Sequence, residues 1–285
     1  MKFLIYLGLI SICNAFTTLK YPTTVKNNFK MMNPLPGSDI GIPLNIFQNV
    51  YTNLHYGYDI TSLKNIFLQF SLGYYTYGYD RYQDAIEYSL KKYDTSKKKL
   101  YDYIIENKNF VKSSLDLTFA ATVFILISDE NFLINLPFIF LLVITDNYKQ
   151  IKKDIGVYKS LFISTLWTAC TIFLPCVLHD HDYSIISSPM DYLPCTLTLF
   201  GLSNVLDIKD VDEDIENGIN TIPVVFGKYN ASYISLLCLS LSSLLFGLNQ
   251  HYLDRPIINS FNELQNAGMA IIPYMMLKNE TLDSN

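Results

Sequence analysis

Charge is scarce in this chain, and positive charge is not in excess. Asp, Glu, Lys and Arg make up 16% of its 285 residues, and the formal net charge is −5. That balance excludes the basic surface on which nucleic-acid binding depends, so no nucleic-acid partner is expected. Cysteine pairing is also missing. Cys13, Cys170, Cys176, Cys195 and Cys238 stand singly, mostly inside apolar runs and without C-x-x-C spacing. This excludes a disulfide framework or a thiolate zinc site and leaves them as small core residues. Histidine offers no better ligand set: His179 and His181 in HDHD (179–182), two His at i, i+2, read as an ordinary polar turn rather than a zinc site.

Apolar sequence is abundant. Half of the residues are hydrophobic, more than an ordinary soluble domain carries alongside so little charge. The apolar runs cover 63–79, 115–127, 132–145, 157–178, 194–206 and 231–248. Several approach the span of a bilayer, and together they predict an all-α polytopic membrane bundle of about seven to nine helices. Threading them alternately across a membrane places residues 80 and 207 on one side. Arg81, Lys91, Lys112, Lys149, Lys152, Lys153, Lys159, Lys209 and Lys228 fall on that same side, whereas the opposite loops hold Arg255. By the positive-inside rule the shared side is the cytosol or a plastid stroma.

The N-terminus reads as targeting sequence. Lys2 precedes an apolar run too short to span by itself, and Cys13 and Ala15 supply small residues before a cleavage point at Phe16. Residues 1–15 are therefore expected to be a signal peptide. Residues 16–38 lack acidic side chains and carry lysines and threonines, the composition of a transit peptide. The membrane domain is then 39–285. Signal peptide, Phe and basic stretch in that order resemble the bipartite presequence of algae with secondary plastids. The alternative destination is the endomembrane system.

The most informative stretch, residues 207–228, reads DIKDVDEDIENGINTIPVVFGK between two apolar runs. Carboxylates at the edge of a bundle are costly, roughly 2.5–3.5 kcal/mol per charge drawn into hydrocarbon, unless a cation uses them. On a helix Asp207, Asp210 and Asp214 share one face. Three oxygen-bearing groups on one stripe suit Mg²⁺, which takes its remaining ligands from water and substrate phosphates. Gly218 lets the chain leave the helix, and Pro223 suits the first turn of the next. A calcium loop fails because Ile215 stands where Gly is needed and Thr221 where a bidentate Glu is needed. A solvated acidic turn without metal is the plainer alternative.

These residues closely resemble the second aspartate motif of the UbiA superfamily of intramembrane prenyltransferases, D-x-x-D-x-x-x-D followed by a G-I-x-T-x-P-V-x-x-G run. Asp207, Asp210, Asp214, Gly218, Ile219, Thr221, Pro223, Val224 and Gly227 match it. The first motif of that family, N-D-x-x-D-x-x-x-D, has its counterpart in YTYGYDRYQDA (75–85). There Asp80 and Asp84 match, and Thr76 and Tyr77 replace the leading Asn and Asp. The loop DNYKQIKKDIGVYKS (146–160) resembles the Tyr- and Lys-bearing stretch that precedes the family's Trp-bearing helix, here with Trp167.

The resemblance implies Mg²⁺-dependent transfer of a prenyl group from a prenyl diphosphate to an aromatic or other lipophilic acceptor, within membrane lipid. Asp80, Asp84, Asp207, Asp210 and Asp214 would be the catalytic metal ligands. Arg81, Tyr148, Lys152, Lys153, Lys159 and Lys228 would bind the diphosphate. Two alternatives stand beside it: a terpene cyclase of the same superfamily, and a non-catalytic lipid-binding relative with an incomplete first motif.

Overall fold

The computed structural model describes residues 62–91, 98–129, 132–180 and 183–253, with isolated positions between 42 and 58. The presequence of 1–38, Cys13, His181, Arg255 and the remainder of the C-terminal region lie outside the described residues. Every regular element among those described is helical, with no strand, as the apolar patterning predicts. The chain divides into two compact units, Met1–Asn53 with Tyr58–Asp146, and Leu54–Gly57 with Asn147–Asn285.

The first unit contains α1 (Leu63–Lys91), α2 (Lys98–Glu106), α3 (Lys108–Ile127) and α4 (Phe132–Asp146), with α1 packed against the other three. Its N-terminal part is joined by carboxamides. Asn49 Nδ2 donates to Asn65 Oδ1 at 3.0 Å, Asn65 Nδ2 to Asn53 Oδ1 at 3.1 Å, and Asn53 Nδ2 to Asn49 Oδ1 at 2.9 Å, a closed ring in which each amide both gives and accepts. Such polar contacts hold helices together where surrounding lipid supplies no hydrophobic drive.

Farther along, tyrosines make the interface. Tyr75 lies against Phe119 with ring centroids 5.1 Å apart and its hydroxyl donates to Asp146, while Tyr74 shares a 2.6 Å hydrogen bond with Ser114. Asn135 Nδ2 donates to Leu126 O at 3.0 Å, serving one of the carbonyls that the end of α3 leaves open. The other faces of α3 and α4 expose Leu117, Phe124, Leu133 and Phe140, as a lipid-facing surface would.

In the second unit the helices are α5 (Tyr148–Ile155), α6 (Lys159–Thr168), α7 (Leu174–Asp180), α8 (Pro189–Lys209), α9 (Val211–Glu216) and α10 (Ile222–Leu253). A π-helical segment, Ala169–Phe173, separates α6 from α7. It lies just before Pro175, whose missing N–H and ring disrupt an ordinary α-turn, and a widened turn accommodates that. α8 packs on α6 and, most extensively, on α10. The approach to α10 is close because Gly201 has no side chain: a Cβ there would stand 2.9 Å from Leu239 Cγ and 3.2 Å from Ser235 O. Hydroxyls complete this seam. Ser242 Oγ donates to Pro194 O at 2.6 Å and lies 2.7 Å from Thr198 Oγ1.

Among the described residues three helical stretches are long and apolar enough to cross a membrane, Lys108–Ile127, Tyr148–His179 and Ile222–Leu248, and Phe132–Asp146 is a shorter apolar helix. The apolar run 63–79 is the first part of a longer helix: α1 continues unbroken to Lys91, which keeps Asp80 and Asp84 on one helical face, as their i, i+4 spacing predicts. α10 is interrupted at Gly227, whose φ of +83° and ψ of 156° are non-helical.

Candidate functional site: two carboxylate pairs, each with its own cation

The acidic stretch of the second unit is not one helix. α8 ends at Lys209, Asp210 has φ −98° and ψ 13°, and α9 begins at Val211. The backbone stays hydrogen-bonded through this break, with Asp210 N donating to Leu206 O at 3.2 Å and Asp214 N to Asp210 O at 2.8 Å. On an unbroken helix Asp207 and Asp214, seven residues apart, would stand about 10 Å apart along the axis. With the break, both reach one ammonium group. Lys159 Nζ donates to Asp207 Oδ1 at 2.7 Å and lies 3.7 Å from Asp214 Oδ2.

This cluster is buried: Asp207 is 4% and Asp214 5% exposed. Asp210 is half-buried and Asp212 exposed, so the expected single stripe of three carboxylates is replaced by a convergent pair with a flanking third. Burial raises the pKa of Asp214 above the usual carboxylate range. Asp207 and Asp210 add to that, and Lys159 and Thr221 oppose it.

Local sequence explains how the partners arrive. Gly156, at φ +52° and ψ −118°, turns the chain from α5 into the short 3₁₀ segment Gly156–Tyr158, directly ahead of Lys159. A Cβ on Gly156 would meet Asn220 O at 3.4 Å, so the turn packs closely on the loop after α9. Gly218, at φ +68°, ends α9 and permits that loop. Thr221 follows, its Oγ1 donating to Asp214 Oδ2 at 3.1 Å.

Three polar groups join the site without appearing in the sequence assignment of site residues. Thr221 enters that reading only as a motif position. Ser160 Oγ lies 3.1 Å from Asp207 Oδ2 and 3.3 Å from Asn204 Oδ1, and it donates its one proton within this pair of acceptors. Asn204 is fully buried, and its Nδ2 has no hydrogen-bond partner among the described residues. The available signal is an Asn inside the otherwise apolar run 194–206, one helical turn before Asp207.

The first unit repeats the pattern. Asp80 and Asp84 project from one side of α1, as i, i+4 spacing requires. Arg81 Nη1 stands 3.4 Å from Asp80 Oδ2 and 3.6 Å from Asp84 Oδ2. Thr76, where the family motif has Asn, turns its hydroxyl back to Leu72 O at 2.7 Å.

Of the other residues expected to bind diphosphate, Lys152 places its ammonium 5.7 Å from the Tyr148 ring centroid, a cation–π contact on α5. Lys153 and Lys228 are exposed.

The donor sets can be tested against Mg²⁺. In the second unit the converging donors are all carboxylate oxygens, and a positive charge already sits between them, so the place is electrostatically suited to a hard cation. Among the described residues no three His, Cys, Asp or Glu side chains form a ready-made metal cage. Two carboxylates nevertheless suffice for Mg²⁺ when phosphate oxygens and water complete its shell. Comparison with protein-family models, curated proteins and solved structures finds no match to this chain.

Proposed function

We propose that this protein is a Mg²⁺-dependent intramembrane prenyltransferase of the UbiA type, moving a prenyl group from a prenyl diphosphate to an aromatic or other lipophilic acceptor. The observation that carries this reading is the convergence of buried Asp207 and Asp214 on one cation position at the end of α8, beside helices apolar enough to cross a membrane. A prenyl diphosphate has a long apolar tail and a polyanionic head, and it requires both. The reading includes a bundle of seven to nine helices and a plastid membrane as its setting.

Asp207 and Asp214 would hold Mg²⁺ in the second unit, with Asp210 at its edge, and Asp80 and Asp84 form the corresponding pair in the first. When bound, Mg²⁺ neutralises charge that develops on the departing diphosphate. The remaining work falls to the chain. Lys159 in the second unit and Arg81 in the first would provide positive charge for diphosphate oxygens, and Lys152, Lys153, Lys228 and Tyr148 would supply further donors. The apolar helices exclude water while an allylic cation exists. The allylic C–O bond breaks and its electron pair leaves with diphosphate. A new bond to the acceptor then forms, and the acceptor loses a proton. No protein nucleophile is needed.

One observation favours a second reading, a non-catalytic lipid-binding relative: each carboxylate pair already shares a cation of the protein's own, Arg81 in the first unit and Lys159 in the second. Diphosphate release from a prenyl diphosphate, measured with Mg²⁺ and with chelator, separates the two. A transferase releases diphosphate only with the metal, and a binding protein does not release it. Product analysis without an added acceptor would reveal cyclisation.

A further inference from the structure

Lys159 occupies the position a metal would take in the second unit. Its ammonium bridges Asp207 and Asp214 at 2.7 and 3.7 Å, with its side chain only 12% exposed. A buried carboxylate pair without a counter-charge would be strongly unfavourable, so the lysine completes the site when no metal is bound. It cannot stay there when Mg²⁺ arrives, because two cations on one pair of carboxylates repel each other. An ammonium on a flexible four-carbon stem can move, and it has three donors for another oxyanion. The same network contains Asn204, fully buried, with an amide Nδ2 that has no acceptor among the described residues. A buried donor in that state seeks an oxygen ligand.

Resting on the prenyltransferase reading, we propose that Lys159 is a resident counter-ion that is displaced by Mg²⁺ and passes from Asp207 and Asp214 to the diphosphate of the incoming substrate. The exchange makes metal and diphosphate binding interdependent. Mg²⁺ alone must evict an ammonium that has nowhere equally good to go, so it binds weakly. Magnesium diphosphate brings the lysine a new partner, so the complex binds well. Diphosphate alone finds Lys159 engaged with aspartates. By linkage each ligand raises the affinity for the other by the same factor. The free site thus keeps a counter-charge between its carboxylates and stays closed to adventitious cations until substrate arrives.

The test is calorimetric titration of the full-length, detergent-solubilised protein, first with MgCl₂ alone and then with preformed magnesium diphosphate. In the wild type, magnesium diphosphate binds and Mg²⁺ alone binds poorly. Lys159→Gln should bind Mg²⁺ alone roughly tenfold or more tightly than wild type, because the competing cation no longer reduces the binding-competent fraction, and should lose affinity for magnesium diphosphate. Lys99→Gln, which removes an exposed charge on α2, outside the site, should leave both affinities unchanged. Should Lys159→Gln fail to fold, Lys159→Arg keeps the charge and the ion pairs. Its guanidinium forks grip carboxylates more firmly, so Mg²⁺ alone should bind still more weakly than in wild type.

Wild-type protein that binds magnesium diphosphate, together with a Lys159→Gln variant no better at binding Mg²⁺ alone, overturns the counter-ion proposal and leaves the transferase reading standing. An Arg variant with equal or higher affinity for Mg²⁺ alone overturns it in the same way. Wild-type protein that binds neither Mg²⁺ nor magnesium diphosphate overturns the transferase reading, and the proposal with it.

Discussion

Removing the charge of Asp207 should destabilise the metal-free protein more than removing that of Asp214, and both losses should depend on Lys159. Asp207 Oδ1 is 2.7 Å from the ammonium and Asp214 Oδ2 is 3.7 Å. Since Coulomb energy falls inversely with distance, the farther carboxylate contributes about seven-tenths of the nearer one's attraction. Breaking a buried pair typically costs about 3–5 kcal/mol when the remaining charge is stranded. Here Lys159 keeps one carboxylate after either change, and the amide oxygen introduced by Asp207→Asn could still accept from Ser160. The expected losses are therefore near or below the bottom of that range, about 2–3 kcal/mol for Asp207→Asn and about 1–2 for Asp214→Asn. Adding Lys159→Met to either variant should cost less than it does in the wild-type background, since an ammonium with one lost partner has less to give up. A coupling energy of at least about 1 kcal/mol is expected for the Asp207–Lys159 cycle. Chelator-treated protein in detergent, unfolded by denaturant and followed by circular dichroism, supplies the numbers. Additive losses, or a larger loss for Asp214→Asn than for Asp207→Asn, would refute the geometry assigned to this cluster.

Other outcomes follow from separate parts of the molecule. Gly201→Leu should destabilise the second unit by about 1–3 kcal/mol through overpacking; Leu239→Ala in the same chain should recover part of the loss in a thermal unfolding assay, because Leu239 is what the added side chain meets. Asn65→Leu should cost about 1–3 kcal/mol by taking the Asn65 partner from Asn49 Nδ2 and Asn53 Oδ1, and changing all three to Leu should cost less than that single change in the same assay. Asp80→Asn and Asp84→Asn should each weaken binding of a diphosphate analogue about tenfold in a Mg²⁺ titration, whereas Tyr77→Asp should keep or raise turnover. Unchanged affinity in both Asn variants would make the first motif decorative.

Helicity and the membrane character of three segments are legible in the sequence because hydrophobic runs determine both. So are the chain exit at Gly218 and the start of a helix at Pro223, since glycine and proline restrict backbone geometry locally. The convergence at Lys159 is only half legible. The motif resemblance points Lys159 toward diphosphate, but its engagement with Asp207 and Asp214 depends on the helix break at Asp210 and the turn at Gly156, neither of which has a periodic signature. The placing of Asp80 and Asp84 on one helical face is legible from their i, i+4 spacing, whereas the extent of α1 beyond its apolar run, to Lys91, carries no hydrophobic mark. Asn204 and Ser160 are ordinary polar residues in sequence, and only packing beside Asp207 distinguishes them.

The most direct test of the account is the rate of diphosphate release from a prenyl diphosphate by the protein reconstituted in lipid, with Mg²⁺ or with chelator, in wild type and in Asp207→Ala. The account predicts release that requires Mg²⁺ and falls on the order of 10²-fold or more in the variant, the scale expected when one group that stabilises transition-state charge is removed. Release that survives chelation, or an Asp207→Ala variant as fast as wild type, would contradict it.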